Sequence, residues 1–215
     1  MLAVKKLNIS FGSKMVIEQG QFEIESGDHV QILGPSGVGK STILKAIIQF
    51  IPTDSCEIHL EGKRLTSDHI DEYRQNFAYI GQKAPYFSGS VLDFLHQPFQ
   101  FKLNAALKPP TTNEIHTLLA SLGFENFDLS QAYNSLSGGE QQRVTIAQAL
   151  LLKRKIYLLD EITSALDPTN TQLIIAIFSK LKQTTFIVVS HDQEWQATTN
   201  RQFTIINRQI TEVKS

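Results

Sequence analysis

The sequence has 215 residues, enough for one well-buried domain or for a core domain carrying a small lobe, and too few for two full domains. Hydrophobic residues make up 41% and charged residues 19%, and the formal net charge of −1 leaves no global basic field to draw nucleic acid or anionic lipid. No apolar run approaches the roughly 18–20 residues of a membrane span, and Met1-Leu2-Ala3-Val4-Lys5-Lys6 lacks the extended apolar stretch of a signal peptide, so a cytosolic placement is expected. Cys56, the one cysteine, has no partner for a disulfide or a metal site and reads as a small residue at the edge of a strand.

The N-terminal stretch is strand-rich, and within it His29-Val30-Gln31-Ile32-Leu33 reads as a short buried strand. Directly after it, Gly34-Pro35-Ser36-Gly37-Val38-Gly39-Lys40-Ser41-Thr42 has the phosphate-loop spacing: a glycine, four residues, then Gly-Lys-Ser/Thr. The glycines let the backbone curl so that successive N–H groups face phosphate oxygens. Lys40 then sets a point charge near the β- and γ-phosphates, and the Ser41 hydroxyl suits Mg2+. Ile43, Leu44, Ile47, Ile48 and Ile51 recur at helical spacing. Strand, loop and helix N-terminus therefore follow in the order that aims a helix dipole at phosphates, and a merely flexible glycine turn would need none of this context. This is read as a nucleotide site.

From Pro85 to Ser135 the chain changes character, with Pro98, Pro109 and Pro110 and a helix-like run from Glu114 to Leu122 ended by Gly123; Thr111-Thr112-Asn113 offers its cap. Further on, Ile156-Tyr157-Leu158-Leu159 is a continuous apolar run, as a strand covered on both faces requires, and it ends in Asp160-Glu161. Ligands of open α/β sheets bind beyond the carboxyl ends of the strands, so the natural division gives Asp160 to Mg2+ and Glu161 to an attacking water. A bland surface acidic pair is the alternative, but an apolar strand would then end in charge for no reason. Phe186-Ile187-Val188-Val189 repeats the design and ends in Ser190-His191, where a histidine could bond the γ-phosphate or hold the water; His29, His59, His69, His96 and His116 read as structural or solvated. Phe203 to Ile206 and Gln209 to Val213, around Asn207-Arg208, read as a closing hairpin with no room after it for a regulatory extension.

A phosphate loop and an acidic strand end describe many NTPases. Leu136-Ser137-Gly138-Gly139-Glu140-Gln141-Gln142-Arg143 narrows the field, because it resembles the signature motif of ABC ATPases and lies just upstream of the Asp160 strand, as in that family. Ser137 and the Gly138 and Gly139 amides open a helix carrying Val144, Ala147 and Leu151, which gives a second dipole-assisted anion site. The remaining motifs fall in family order across nearly the whole chain. Phe11 is similar to the aromatic that stacks on adenine, where most members carry Tyr. Gln82 looks like the glutamine that contacts Mg2+ and the water and senses a permease, Ser164-Ala165-Leu166-Asp167 like the dimer-interface loop, and His191 like the switch histidine. Phe11 alone would more often pack at a strand edge, and Gln82 alone would be unremarkable.

The resemblance implies an α/β P-loop NTPase (RecA-like) core with an N-terminal antiparallel β subdomain and an inserted α-helical subdomain. It implies one ABC ATPase domain over residues 1–215, with a core lobe of about 1–84 and 137–215 and a helical lobe of about 85–136. It also implies a head-to-tail dimer with a second ATPase subunit, in which Ser137 to Glu140 of one copy close over ATP held by Gly34 to Thr42 of the other. The partner is expected to be an integral membrane permease, with the chain peripheral on the inner face of the cell membrane and no nucleic acid bound. The helical lobe would dock on that permease. Phe94, Phe99 and Phe101 are candidates to face it, though aromatics in a small helical lobe more often form its core. A soluble ABC ATPase of DNA repair or translation is the alternative, but coiled-coil arms, zinc ligands and a second cassette are missing from the sequence. The segment from Gln82 to Val91 looks exporter-like, but Asn134-Ser135 precedes the signature without the segment common in fused exporters, so import and export both stay open. Leu158 to Asp167, with Ile162 where Pro is more usual, is similar to the small FetA-like ATPases linked to metal export.

Overall fold

A computed structural model describes residues 1–181 and 183–213. Its organising element is a strand apolar at every position before its acid. In β7 (Ile156–Asp160), Ile156 and Leu158 enter one hydrophobic cluster while Tyr157 and Leu159 enter another on the opposite face. The neighbouring β8 (Thr185–Val189) divides in the same way, Ile187 and Val189 to one side, Phe186 and Val188 to the other. A continuous apolar run is what a strand buried on both faces needs.

These two strands sit within a six-stranded sheet of order β10-β9-β3-β8-β7-β6, completed by β3 (His29–Leu33), β6 (Phe77–Ile80), β9 (Arg201–Ile206) and β10 (Gln209–Val213). All pairings in it are parallel except the closing β9–β10 hairpin. A second, four-stranded antiparallel sheet of order β2-β1-β4-β5 is built from β1 (Leu2–Phe11), β2 (Lys14–Ile24), β4 (Ser55–Leu60) and β5 (Lys63–Arg64). It packs with α1 (Lys40–Ile47) on one face of the large sheet. Cys56 is a free, half-buried thiol near the start of β4.

The other face is covered by α3 (Val91–His96), α4 (Thr112–Ser121), α5 (Gly138–Leu151) and α6 (Pro168–Ser179); a short α2 (Ile70–Arg74) precedes β6. Capping boxes set the starts of α3, α4 and α5, through Ser90 with Asp93, Thr111 with Glu114, and Ser137 with Glu140. The predicted cap of α4 is in place, and Gly123 follows that helix at φ +80°. The α1 helix is shorter than its apolar periodicity predicts. It ends at Ile47, Gln49 turns left-handed at φ +55°, and Ile51 packs from outside the helix. Of the three aromatics considered for a partner surface, Phe94 is core, stacked on Tyr133 at 4.2 Å, while Phe101 is 54% exposed.

Candidate active site

The phosphate loop joins β3 to α1. Gly39 caps α1 at φ +113°, and a Cβ there would lie 2.6 Å from Val16 Cγ1, so both conformation and space demand glycine. Unlike α3, α4 and α5, α1 has neither a side-chain cap nor an acid in its first turn. Its N-terminal donors are left to whatever the loop holds. Lys40, 5% exposed, folds back so that Nζ donates to the carbonyls of Gly34 at 2.9 Å and Pro35 at 3.0 Å. Burial lowers its pKa, and the charges of Glu161 and Asp160 partly oppose that shift.

The carboxyl end of β7 meets this loop. Ser41 Oγ donates to Asp160 Oδ1 at 2.5 Å, joining the first turn of α1 to the acidic strand. The next residue, Glu161, takes a left-handed φ of +50°, with its N–H bonded to Val189 O at 2.8 Å and its carbonyl accepting from Ser164 N at 3.1 Å and Ser164 Oγ at 2.8 Å. A non-glycine residue in that region carries roughly 1–3 kcal/mol of strain and persists only where its surroundings over-determine it, as these bonds do. Its side chain lies between two of the residues the sequence singles out. Gln82 Nε2 donates to Glu161 Oε2 at 2.5 Å, and His191 Nε2 is 3.6 Å from Glu161 Oε1.

A pocket of about 410 Å³ opens here, lined by Gly37, Gly39, Lys40, Ser41, Thr42 and Glu161, with Phe11, Lys14 and Val16 at one side. The Phe11 ring is 53% exposed, so it is not the packed strand-edge residue that it would be in isolation. A larger cleft of about 1040 Å³, between Phe99, Pro110, Tyr157 and Ile177, is lined by none of the candidate site residues. The Ser137–Glu140 turn does not join the pocket either. Ser137 N and Oγ both donate to Glu140 Oε2, at 2.8 and 2.7 Å, closing the capping box, while Gly138 has open space where a side chain would be. Gly139 faces Ala165 O and Leu166, within 3.4–3.5 Å of a built Cβ, which sets the turn against the Ser164–Asp167 loop.

Three buttresses escaped sequence reasoning. The Tyr79 hydroxyl donates to Asp160 Oδ2 at 2.8 Å. Gln142 Nε2 donates to Gly81 O at 3.0 Å, tying α5 to the residue before Gln82. Thr163 Oγ1 and Ser190 Oγ both donate to Asp192 Oδ2, at 2.6 and 3.2 Å, which braces the turn carrying His191. Apart from the local Ser190–Asp192 bond, these join residues far apart in sequence, and no local pattern announces such pairs.

The ABC transporter family model matches residues 17–164. The ATP-binding protein LolD of a lipoprotein-releasing system from Leptospira interrogans is 33% identical over 224 residues, covering 99% of this chain and 92% of that one. The spermidine/putrescine import ATP-binding protein PotA of Mesoplasma florum is also 33% identical, over 90% of this chain, which spans only 55% of that relative. The fold matches, with a TM-score of 0.84 and 24% identity, a dimeric ATP-binding cassette solved in a post-hydrolysis state with ADP and Pi, over the full length of both chains. With a phosphate loop, an acidic strand end and a signature turn in one chain, and with these likenesses over most of its length, the protein belongs to the ABC transporter family as one of its ATP-binding, ATP-hydrolysing subunits.

Proposed function

We propose that the chain hydrolyses ATP as half of a head-to-tail homodimer and drives a separate membrane permease from the inner face of the cell membrane. The observation that carries the catalytic part is Glu161, bonded to Gln82 and beside His191 at the wall of the phosphate-loop pocket. In this reading the loop amides from Gly34 to Thr42, with Pro35, Ser36 and Val38 shaping the curl, cradle the phosphates. Lys40 exchanges its carbonyl partners for β- and γ-phosphate oxygens. Phe11 stacks on the base. Glu161 accepts a proton from the attacking water, while Gln82 and His191 hold that carboxylate and the water in register. Ser137, Gly138, Gly139 and Glu140 meet the γ-phosphate held by the second copy, because within one copy they lie outside the pocket.

Mg2+ fits the donor set beside the loop. The Ser41 hydroxyl, one carboxylate of Asp160 and the amide oxygen of Gln82 are hard oxygen donors, and Ser41 and Asp160 already converge at 2.5 Å. That set is too sparse for an all-protein cage and suits a cation that arrives with phosphate oxygens and keeps its waters. Bound there, it would neutralise charge developing on the transferred phosphoryl group.

Residues 85–136 form, in this proposal, a helical lobe docking on the permease, with 1–84 and 137–215 as the core lobe. No helix among the described residues is long and apolar enough to cross a membrane, and in this proposal a separate permease supplies the spans. Relatives named for lipoprotein release and for spermidine/putrescine import match at the same 33% identity, so overall likeness does not give the cargo. The stretch from Leu158 to Asp167 favours the small FetA-like ATPases linked to metal export. A pulldown from detergent-solubilised membranes tests the assignment: it should recover a multi-span membrane protein. Recovery with ribosomes or DNA and without any integral membrane protein would contradict it.

A further inference from the structure

Asp160 is 4% exposed, and a carboxylate that deep needs donors on both oxygens. Oδ1 accepts from Ser41; Oδ2 accepts from the Tyr79 hydroxyl at 2.8 Å. Tyr79 lies on β6, opposite Leu158 of β7, and two residues later the chain reaches Gly81 and then Gln82. Its ring is half-buried. A Cβ on Gly81 would stand 3.5 Å from Tyr79 Cε1, and Phe50 meets the ring edge-on with centroids 6.0 Å apart. A phenol keeps its proton at neutral pH, so the hydroxyl is the donor in this bond.

We propose that Tyr79 is a positioning residue for the ATPase reaction: its hydroxyl locks the Asp160 carboxylate in the orientation that leaves Oδ1 turned to Ser41 and to the cation accompanying ATP. A carboxylate held through one oxygen can rotate about its Cβ–Cγ bond. Held through both, it rotates only by giving up a charge-assisted bond. Tyr79 itself touches neither substrate nor cation. The same contact fastens the strand that delivers Gln82 to the strand that delivers Glu161, so both sides of the water site share one brace. The proposal rests on the reading of Asp160 as the metal-side carboxylate.

The test uses the full chain and a fluorescent ATP analogue, with affinity measured in Mg2+ and in EDTA, and the ATPase rate titrated with Mg2+. Tyr79→Phe keeps the ring but leaves Asp160 Oδ2 without its donor, so its thermal midpoint without nucleotide should fall by a few degrees while the protein stays folded. Its EDTA affinity should be unchanged, its apparent Mg2+ affinity about tenfold weaker, the low end of what outer-shell partners of metal ligands cost, and its rate should recover at saturating Mg2+. If both nucleotide affinities fall together, or if the Mg2+ titration does not move, Tyr79 has no positioning role. Asp160→Asn separates the two layers. It should abolish the gain in affinity that Mg2+ confers; if that gain survives, the metal-side reading of Asp160 falls, and the Tyr79 proposal with it. If Asp160→Asn loses the gain while Tyr79→Phe behaves as the parent, only the Tyr79 proposal falls.

Discussion

Replacing Glu161 by glutamine isolates the chemical step from binding. The amide has the carboxylate's shape, so it can keep one of the two contacts that hold Glu161, the 2.5 Å bond from Gln82 or the 3.6 Å approach of His191. The main-chain bonds that fix the left-handed turn are untouched, and stability should change little. What disappears is the proton acceptor. General-base assistance is worth roughly 10²- to 10⁴-fold, so turnover should fall at least about a hundredfold, some 2.7 kcal/mol of activation free energy. Binding should hold or tighten. The Glu161 charge is one of the two attractions acting on the Lys40 ammonium, and its removal leaves that ammonium freer for phosphate. The assay pairs phosphate release with nucleotide affinity and size-exclusion chromatography in MgATP, where Glu161→Gln should accumulate as an ATP-bound dimer. Turnover close to that of the parent chain would remove Glu161 from the role of base. Loss of ATP binding in a folded protein would show that its contribution lies elsewhere.

Phe11→Ala should weaken ATP affinity by an amount in line with about 1–3 kcal/mol per stacked base, with the melting temperature hardly moved because the ring is 53% exposed; unchanged affinity would deny it the adenine. An acid-sensitive brace sits at the far end of β3. Burial would raise the pKa of Asp28, but the Arg201 guanidinium at 2.7 Å, the Glu25 N–H and the Asn200 amide outweigh it and hold the carboxyl below its ordinary range. A depressed folded-state pKa means stability that is present above about pH 4 and lost as pH falls further, through the folded value. Arg201→Leu, which removes the pairs with both Asp28 and Glu212, should therefore lower the thermal midpoint at neutral pH and flatten its decline in acid; parallel declines in both proteins would exclude these ion pairs from the acid transition.

The parallel sheet was legible because its strands are buried on both faces and cannot hide their composition. The runs at 156–159 and 186–189 are apolar throughout, the one at 29–33 is interrupted only by His29 and Gln31, and β3, β7 and β8 coincide with them to within a residue. The α1 boundary was less legible, since periodicity extends to Ile51 while Gln49 turns the backbone left-handed; apolar spacing registers burial, not helical geometry. The Ser137–Glu140 turn allows two physical readings from one pattern, a capping box and an anion site. The bonds within one copy realise the first and leave the exposed Gly138 for the second. Gln82, Glu161 and His191 each sit in a motif. Tyr79, Gln142 and Asp192 work through partners 81, 61 and 29 positions away, and only the folded chain brings those together.

The central claim is that one ATP site takes its phosphate loop from one copy and its signature turn from another, and mixing two defective proteins tests it most directly. Lys40→Ala removes the loop's charge. Gly138→Asp puts a carboxylate on the signature turn, at a position where a side chain meets nothing within 4 Å, so the fold should tolerate it. Each protein alone should be nearly inactive. In a one-to-one mixture half the dimers are mixed, each with a single site built from an intact loop and an intact turn, so hydrolysis should return to about a quarter of the parent's site number in a symmetric dimer. A mixture no more active than its components would contradict the shared site.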